Sequence, residues 1–273
     1  MYSPKDYWIE LAENFGTADA SGFAPILHPN TPVWFNQVID HLQFNALRRA
    51  LAIARVEPGA RILDVGCGTG RWVRRYHELG LIPVGLDATI GMLRIARAQQ
   101  TTAPLVAGLA YDLPFPTGVF DFLSDFTVVQ HIPYELQANA LGEMVRVLRP
   151  GGRLILVELI RGRDSHIFPR QAKEWIRAVE SCGATLLKYF GHEYLFPDRI
   201  FVRFAQILAR RRVNFGSQAH SLSSTVEYST ARSLYWILRR TTVFLSALTE
   251  PILTRTCRAS MATHAVFVFR KTL

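Results

Sequence analysis

The sequence predicts an α/β protein with three layers, in which helices cover both faces of a mostly parallel sheet. From residue 60 to about residue 191, short runs rich in β-branched residues alternate with helical patterns, as in chains of strand–helix–strand units. A glycine-rich turn follows the first of these runs. With 273 residues, of which 49% are hydrophobic, the chain is long enough to bury a sizeable core.

The turn residues divide this region into individual elements, with proline and glycine clusters before the first, fourth and fifth strands. The pattern predicts strands over residues 61–65, 82–86, 105–108, 119–125, 153–159 and 185–190, and a last strand over 264–271. It predicts helices over residues 70–79, 90–99, 135–148 and 170–182.

Two segments lie outside this alternation. Residues 1–56 are rich in aromatic side chains and end in a helical pattern, which predicts an N-terminal helical lid. Residues 197–260 contain two helical patterns around a Ser/Thr/Gly-rich break and are expected to form a helical insertion that covers the substrate. The core would then comprise residues 57–196 and 261–273.

The basic charge of the chain is concentrated in that insertion. The formal net charge is +9, and the isoelectric point is about 9.8. The segment from Asp198 to Arg258 holds ten arginines against three acidic residues, so it carries +7 of that charge. We therefore expect either an anionic partner or a solvated outer face for this segment.

The cysteines and the N-terminus indicate the cellular compartment in which the protein is expected. Cys67, Cys182 and Cys257 are far apart and have no zinc-ligand spacing, which predicts neither disulfides nor a metal site. The N-terminus has a charged, aromatic stretch where a signal peptide needs an apolar one. The expectation is a reducing, cytoplasmic location, with peripheral membrane contact left open.

The strongest motif is the apolar strand and glycine turn from Ile62 to Gly70, read as ILDVGCGTG. Glycines there allow positive φ angles and close approach of a ligand to the backbone. About 20 residues later a second strand ends at Asp87, where a carboxylate can accept both hydroxyls of a ribose. A dinucleotide site shares these features, but the GxGxG spacing departs from its GxGxxG pattern.

Together with the later segments, the motif series resembles that of class I S-adenosylmethionine (SAM)-dependent methyltransferases. The series is DVGCGTG, GLD, AYDLPFP, FDFLSDFTVVQHI and EMVRVLRPGGRLILVEL, in order over about residues 60–159. The resemblance implies SAM as cofactor and a Rossmann-like sheet of seven strands. It implies the strand order 3-2-1-4-5-7-6, with the last strand antiparallel.

The resemblance also implies which residues hold SAM. The glycine turn would line its methionine and ribose parts, Asp64 would organise that turn, and Asp87 would hold the ribose hydroxyls. The adenine would lie beside a residue pair after Asp87 and a second pair in the AYDLPFP motif. The complete set is Asp64, Gly66, Cys67, Gly68, Gly70, Asp87, Ala88, Met92, Asp112 and Leu113.

His131 is the candidate catalytic residue, because it follows the fourth strand at the edge where ligands gather in open α/β sheets. A neutral imidazole is a suitable proton acceptor, so His131 is expected to act as general base or to orient the substrate. The alternative is that it caps the next helix or borders SAM.

Three functions remain open at this point. The first is methyl transfer to a small-molecule, sugar or lipid-linked acceptor at oxygen, with Arg210, Arg211 and Arg212 contacting phosphate or an anionic membrane. The second is an RNA methyltransferase whose insertion follows the phosphate backbone. The third is a non-catalytic partner with a SAM fold. The sequence SDFT after the fourth strand does not match the (D/N)PPY motif of enzymes that methylate base amino groups.

Overall fold

The computed structural model describes residues 4–16, 22–23, 25–29, 31–162, 166–215 and 224–272, without the side chains of residues 4–5, 206 and 208–233. Within this part of the chain, seven strands form one sheet. In chain order they are β1 (Arg61–Val65), β2 (Ile82–Asp87), β3 (Leu105–Ala107), β4 (Phe120–Phe126), β5 (Leu148–Leu159), β6 (Ala184–His192) and β7 (His264–Lys271).

The strand order is β3-β2-β1-β4-β5-β7-β6, which confirms the predicted topology. β1 lies between β2 and β4 and runs parallel to both, with Val65 opposite Leu86 on one side and Asp125 on the other. β7 is antiparallel to β5 and β6. The carboxyl ends of β1, β2 and β4 therefore meet at one edge of the sheet, where open α/β folds bind ligands.

Helices cover both faces of the sheet, and those in the described residues have the following bounds. They are α1 (Pro4–Phe15), α2 (Val33–Ala54), α3 (Arg71–Glu78), α4 (Ile90–Ala98), α5 (Tyr134–Val147), α6 (Ala172–Glu180), α7 (Phe196–Phe215) and α8 (Ser224–Thr256). None of the helices in the described ranges is long and apolar enough to cross a membrane.

The core has two parts because successive side chains of a strand point to opposite faces. On one face, Leu154 and Leu156 of β5 pack with Met144 of α5 and Trp175 of α6. The intervening Ile155 points to the other face, where the cluster includes apolar side chains of α2 and α3. Both halves of the core exclude water almost completely.

Two strands are longer than the sequence predicted. β5 begins at Leu148 rather than at residue 153, because Leu148 pairs with Phe120 across a bulge that contains the Pro-Gly-Gly turn. β6 continues to His192 because it pairs with β7 as far as His264. The four predicted helices differ from the observed ones by at most two residues at either end, which is the usual uncertainty of helix termini.

The chain segments outside the sheet pack against each other. α7 and α8 follow β6, contact each other, and lie against α2 and β6 through α8. Trp236 of α8 meets Trp34 and Phe35 at the start of α2, with ring centroids 6.1 and 6.0 Å apart. The insertion thus contacts the N-terminal segment directly. The division into lid, core and insertion remains a prediction.

Candidate functional site

A cleft opens at the carboxyl ends of β1, β2 and β4, and its empty space, including the mouth, is about 930 Å³. Its walls come from the turns after these strands and from α1 and the segment that follows α1. The lining residues are Trp8, Ile26, Gly66, Cys67, Gly68, Arg71, Trp72, Leu86, Asp87, Ala88, Thr89, Met92, Gly108, Leu109, Ala110, Tyr111, Phe126, Thr127, Val128 and Ile132.

The turn after β1 requires glycine at two lining positions. Gly66 has φ 66° and Gly68 has φ 52°, in the left-handed region that side chains disfavour. A Cβ atom on Gly66 would overlap the side chain of Val128, and one on Gly68 would lie 2.8 Å from Cγ2 of Ile26. The backbone of this turn therefore forms the floor of the cleft.

Asp87 ends β2 and joins two turns at the cleft wall. Its Oδ2 accepts a hydrogen bond from the Gly68 backbone N–H and its Oδ1 accepts one from Thr89 N–H, both at 2.8 Å. Burial raises the pKa of this carboxyl above its ordinary value. Each carboxylate oxygen has a further lone pair, so the group can still accept hydrogen bonds from a ligand.

Asp64 lies in β1 directly behind the glycine turn. The Ser124 hydroxyl donates a hydrogen bond to Oδ1 at 2.8 Å. Oδ2 is buried and has no hydrogen-bond partner among the described residues. Burial raises the pKa of the Asp64 carboxyl to about 7. An unpaired buried acceptor is costly, and it suits a donor group supplied by a ligand or a water.

Arg71, the first residue of α3, brings a positive charge to the cleft wall. Its Nη1 donates a hydrogen bond to Asp40 Oδ1 at 3.0 Å, and its guanidinium lies 4.1 Å from the centre of the Trp72 ring. Its Nε is buried and has no hydrogen-bond partner in the described part of the chain. Burial lowers the pKa of Arg71 to about 10, so the side chain remains charged at neutral pH.

His131 is buried beside the cleft, in a short 3-10 helix at Val129–His131, and does not line it. Its Nδ1 lies 3.1 Å from the His166 carbonyl oxygen, and its Nε2 lies 3.3 Å from Nε2 of Gln130. The Trp8 ring meets the imidazole edge to face, with centroids 5.0 Å apart. Burial lowers the pKa of His131 to about 4, which keeps the ring neutral at physiological pH.

Two buried carboxyls hold the segment between β4 and α5. Glu158 of β5 accepts hydrogen bonds from the backbone N–H groups of Val129 and Gln130 at 2.8 and 3.1 Å. Asp125 accepts one from Val128 N–H at 3.0 Å. Burial is the main cause that raises the pKa of both groups, to about 7 for Asp125. This segment supplies Thr127, whose φ of 59° is unusual for a β-branched residue.

The structure brings together most of the residues that the sequence singled out for SAM. Six of them line the cleft, namely Gly66, Cys67, Gly68, Asp87, Ala88 and Met92. The other four lie outside the lining set. Asp64 and Gly70 support the turn from behind, Leu113 is buried in the core, and the Asp112 side chain is exposed.

Sequence reasoning missed several lining residues. Arg71 and Trp72 directly follow the last glycine, so their position in the first turn of α3 was a usable signal. Thr127 and Val128 follow β4 in the same way. Trp8 and Ile26 are far from the motifs along the chain, and no periodicity in the sequence connects them to the cleft.

Residues 63–156 match the family model described as methyltransferase domain. Over 125 residues the chain is 35% identical to a demethylmenaquinone methyltransferase of Renibacterium salmoninarum, covering 45% of this chain and 52% of the relative. It is 36% identical over 121 residues to a malonyl-[acyl-carrier protein] O-methyltransferase of Serratia marcescens, covering 44% and 47%. The chain spans about half the length of these curated relatives.

Among solved structures, the [4+2]-cyclase SpnF matches with a TM-score of 0.61 at 19% identity, covering 98% of this chain and 93% of that one. At this identity the likeness concerns the fold alone. The topology, the glycine turn and the matched domain agree with one another. Residues 63–156 thus form a methyltransferase domain, set in a sheet that has the strand order of the class I SAM-dependent methyltransferases.

Proposed function

We propose that this protein transfers a methyl group from SAM to a small-molecule, sugar or lipid-linked acceptor, at an oxygen atom. The observation that carries the proposal is the cleft itself. A glycine floor, the Asp87 carboxylate and the Arg71 guanidinium meet at one wall, and an unpaired oxygen of Asp64 lies behind the floor. Their chemistry suits a ligand that carries ribose hydroxyls, an ammonium group and a carboxylate.

Each part of SAM would find a matching group in this chain. Asp87 would accept the ribose hydroxyls, and Arg71 Nε would donate a hydrogen bond to the carboxylate. Asp64 Oδ2 would accept a hydrogen bond from the amino group, directly or through water. Apolar lining residues would enclose the adenine, with Ala88 and Met92 on one side and Tyr111 on the other. Asp112 and Leu113, which the sequence also suggested for the adenine, lie outside the lining set, and we assign them no contact with it.

When bound, SAM supplies a methyl group on a positively charged sulfur, which is released as a neutral thioether once the methyl has moved to the acceptor. The acceptor hydroxyl loses one proton in exchange. What remains for the protein is to align the acceptor with the methyl group and to exclude water. Trp8 and Ile26, which cover the cleft from the N-terminal side, are placed to do both.

His131 would serve this reaction as a positioning residue. Both of its ring nitrogens face partners within the protein, and burial opposes the uptake of a proton. The imidazole instead packs on Trp8, a lining residue, and stacks on His166 with ring centroids 5.4 Å apart. Of the two roles predicted from the sequence, the contacts support orientation of the substrate more than general-base chemistry.

The names of two relatives support the proposed small-molecule or lipid-linked class of acceptor. One is named for a demethylmenaquinone acceptor and the other for a malonyl group on acyl-carrier protein. Only the second name specifies oxygen, so the acceptor atom depends on that relative and on the chemistry above. The matched region ends at residue 156, so α7 and α8, the proposed substrate cover, lie outside it. We place the enzyme in the cytoplasm, where SAM is supplied.

The experiment is a transfer assay with [methyl-³H]SAM. The protein is incubated with a cell extract, which is then separated into chloroform-soluble, aqueous small-molecule, RNA and protein fractions. We expect label in the chloroform-soluble or aqueous fraction, and we expect the Asp87→Ala variant to lose it. Label in RNA would support the alternative of an RNA methyltransferase. SAM binding without label in any fraction would overturn the enzymatic function and favour a non-catalytic partner.

A further inference from the structure

The outer side of α8 is apolar along most of its described length. Phe244 and Leu248 are each 59% exposed and Ile237 is 65% exposed, although each is large enough to belong in a core. The exposed apolar residues recur every three or four positions, so they form one stripe along the helix. This outer stripe consists of Leu234, Ile237, Leu238, Phe244, Leu245, Leu248 and Ile252. On α7, Ile200 and Phe204 are exposed one turn apart.

The inner side of the two helices combines apolar contacts of Val243 and Trp236 with several buried polar groups. Asp198 is buried and pairs with Arg239 through two contacts of 3.0 Å. Ser246 is buried and accepts a hydrogen bond from the Asp198 backbone N–H. Glu250 is buried and accepts one from Tyr194 N–H at 3.0 Å. α8 thus packs on the rest of the protein through the side opposite the outer stripe.

Charges on the outer side have one sign wherever the side chains are described. Asp198 and Glu250 are the acidic residues of the two helices whose side chains the structure describes, and both are buried. The exposed charged residues between residues 196 and 258 are arginines, among the side chains that the structure describes. They are Arg199, Arg203, Arg240, Arg255 and Arg258. Apolar residues interspersed with arginine are typical of helices that lie in the interface of an anionic bilayer.

The same helices are connected to the cleft through a short chain of contacts. Trp236 packs on Phe35. The next residue, Asn36, holds the backbone of His28 through two hydrogen bonds of 3.1 Å. Two residues earlier, Ile26 covers Gly68 at the cleft. A surface that contacts α8 would thus contact the helix that packs on Phe35, next to the residue that holds the segment of Ile26 over the cleft.

We propose that the outer side of α7 and α8 docks on an anionic lipid bilayer, with the outer stripe in the headgroup region and the arginines at lipid phosphates. The acceptor would then be a membrane-resident lipid, an inference that rests on the proposed methyl transfer. Docking itself does not depend on catalysis. Arg210, Arg211 and Arg212, which the sequence suggested for this contact, have side chains outside the described part of the chain.

The test is sedimentation of the full chain with vesicles of phosphatidylcholine alone or with about one third phosphatidylglycerol. We expect binding to the anionic vesicles that weakens as salt rises, since exposed charges are screened. Phe244→Ser/Leu248→Ser should lower the partition coefficient at least tenfold, about 1.4 kcal/mol. Arg203→Gln/Arg240→Gln should also lower it at least tenfold on anionic vesicles, because two charges that would contact lipid phosphates are removed.

The matched control is Leu79→Ser/Ile82→Ser, which removes two exposed apolar side chains away from α7 and α8 and should leave binding unchanged. SAM binding, measured by calorimetry on every variant, separates the two proposals. Intact SAM binding without vesicle binding would overturn docking and leave the methyltransferase function standing. A dimer in sedimentation velocity that the Phe244/Leu248 variant dissolves would instead make the outer stripe a contact between copies of the chain.

Discussion

At the scale of single residues, the cleft depends on a few polar groups whose surroundings fix their charge. Asp87 and Arg71 lie on its wall and are held by other protein groups, Asp87 by two backbone N–H donors and Arg71 by Asp40. His131 lies behind the wall and is kept neutral by burial. These differences in burial and pairing separate a role in cofactor binding from a role in positioning.

Asp87→Ala should weaken SAM binding at least tenfold, about 1.4 kcal/mol, because it removes the acceptor for the ribose hydroxyls. The variant also loses the contact with Gly68 N–H, so the melting temperature is measured beside the calorimetric affinity. Asp112→Ala is the contrast, since the Asp112 side chain is exposed and does not line the cleft. Equal SAM affinity in wild type and Asp87→Ala would reject the assignment of the ribose site.

His131→Ala should reduce turnover roughly 10²-fold with little change in SAM affinity, because Trp8 loses the ring that it packs against. If His131 positions the substrate, the reduction is the same at all pH values, including those near its pKa of about 4. A general base would contribute an acidic limb near that pKa to the pH profile of kcat/KM in wild type, and the variant would lose that limb. The pH profile therefore distinguishes the two roles.

At the scale of elements, the sequence predicted well where local patterns decide the structure. The strands from β1 to β5 contain apolar runs, with proline and glycine turns before three of them, and their order was implied by the motif series. Strand ends were less predictable, since β5 and β6 are lengthened by pairing with neighbours distant in sequence. The side of α8 that faces outward was not predictable, because its buried polar residues are paired by tertiary contacts.

The need for glycine in the turn between β1 and α3 can be tested by substitution. Gly66→Ala should lower the free energy of unfolding by about 1–3 kcal/mol, because the new Cβ would overlap Val128 and φ is positive. Gly142→Ala is the matched control, since Gly142 lies in α5 with no other atom near the added Cβ. That substitution should raise the free energy of unfolding by about 0.5–1 kcal/mol. Urea denaturation of both variants measures the difference.

At the scale of the whole molecule, three buried carboxyls lie on adjacent strands at the edge of the sheet that carries the cleft. They are Asp64 of β1, Asp125 of β4 and Glu158 of β5. Burial raises the pKa of each, to about 7 for Asp64 and Asp125. The fold thus places ionisable groups at low dielectric beneath a ligand site, where a bound cationic group would favour their charged form.

These carboxyls should make the free energy of unfolding fall as pH rises. A carboxyl whose pKa is about 7 in the folded state and 3.8 in the unfolded state is protonated in the fold but ionised in the unfolded chain at intermediate pH. Its contribution to stability is fully present below pH 3.8 and is lost as pH rises through 7. Without ligand, the free energy of unfolding of wild type should therefore fall between pH 5 and 8.

Asp125→Asn isolates this effect, because the amide oxygen can still accept the hydrogen bond from Val128 N–H but cannot ionise. Relative to this variant, wild type should lose up to about 1.4 kcal/mol per pH unit as pH rises towards 7. A constant difference between wild type and Asp125→Asn from pH 5 to 8, measured by urea denaturation, would mean that Asp125 is ionised throughout. The backbone N–H of Val128 would then be held by a charged carboxylate rather than by a neutral carboxyl.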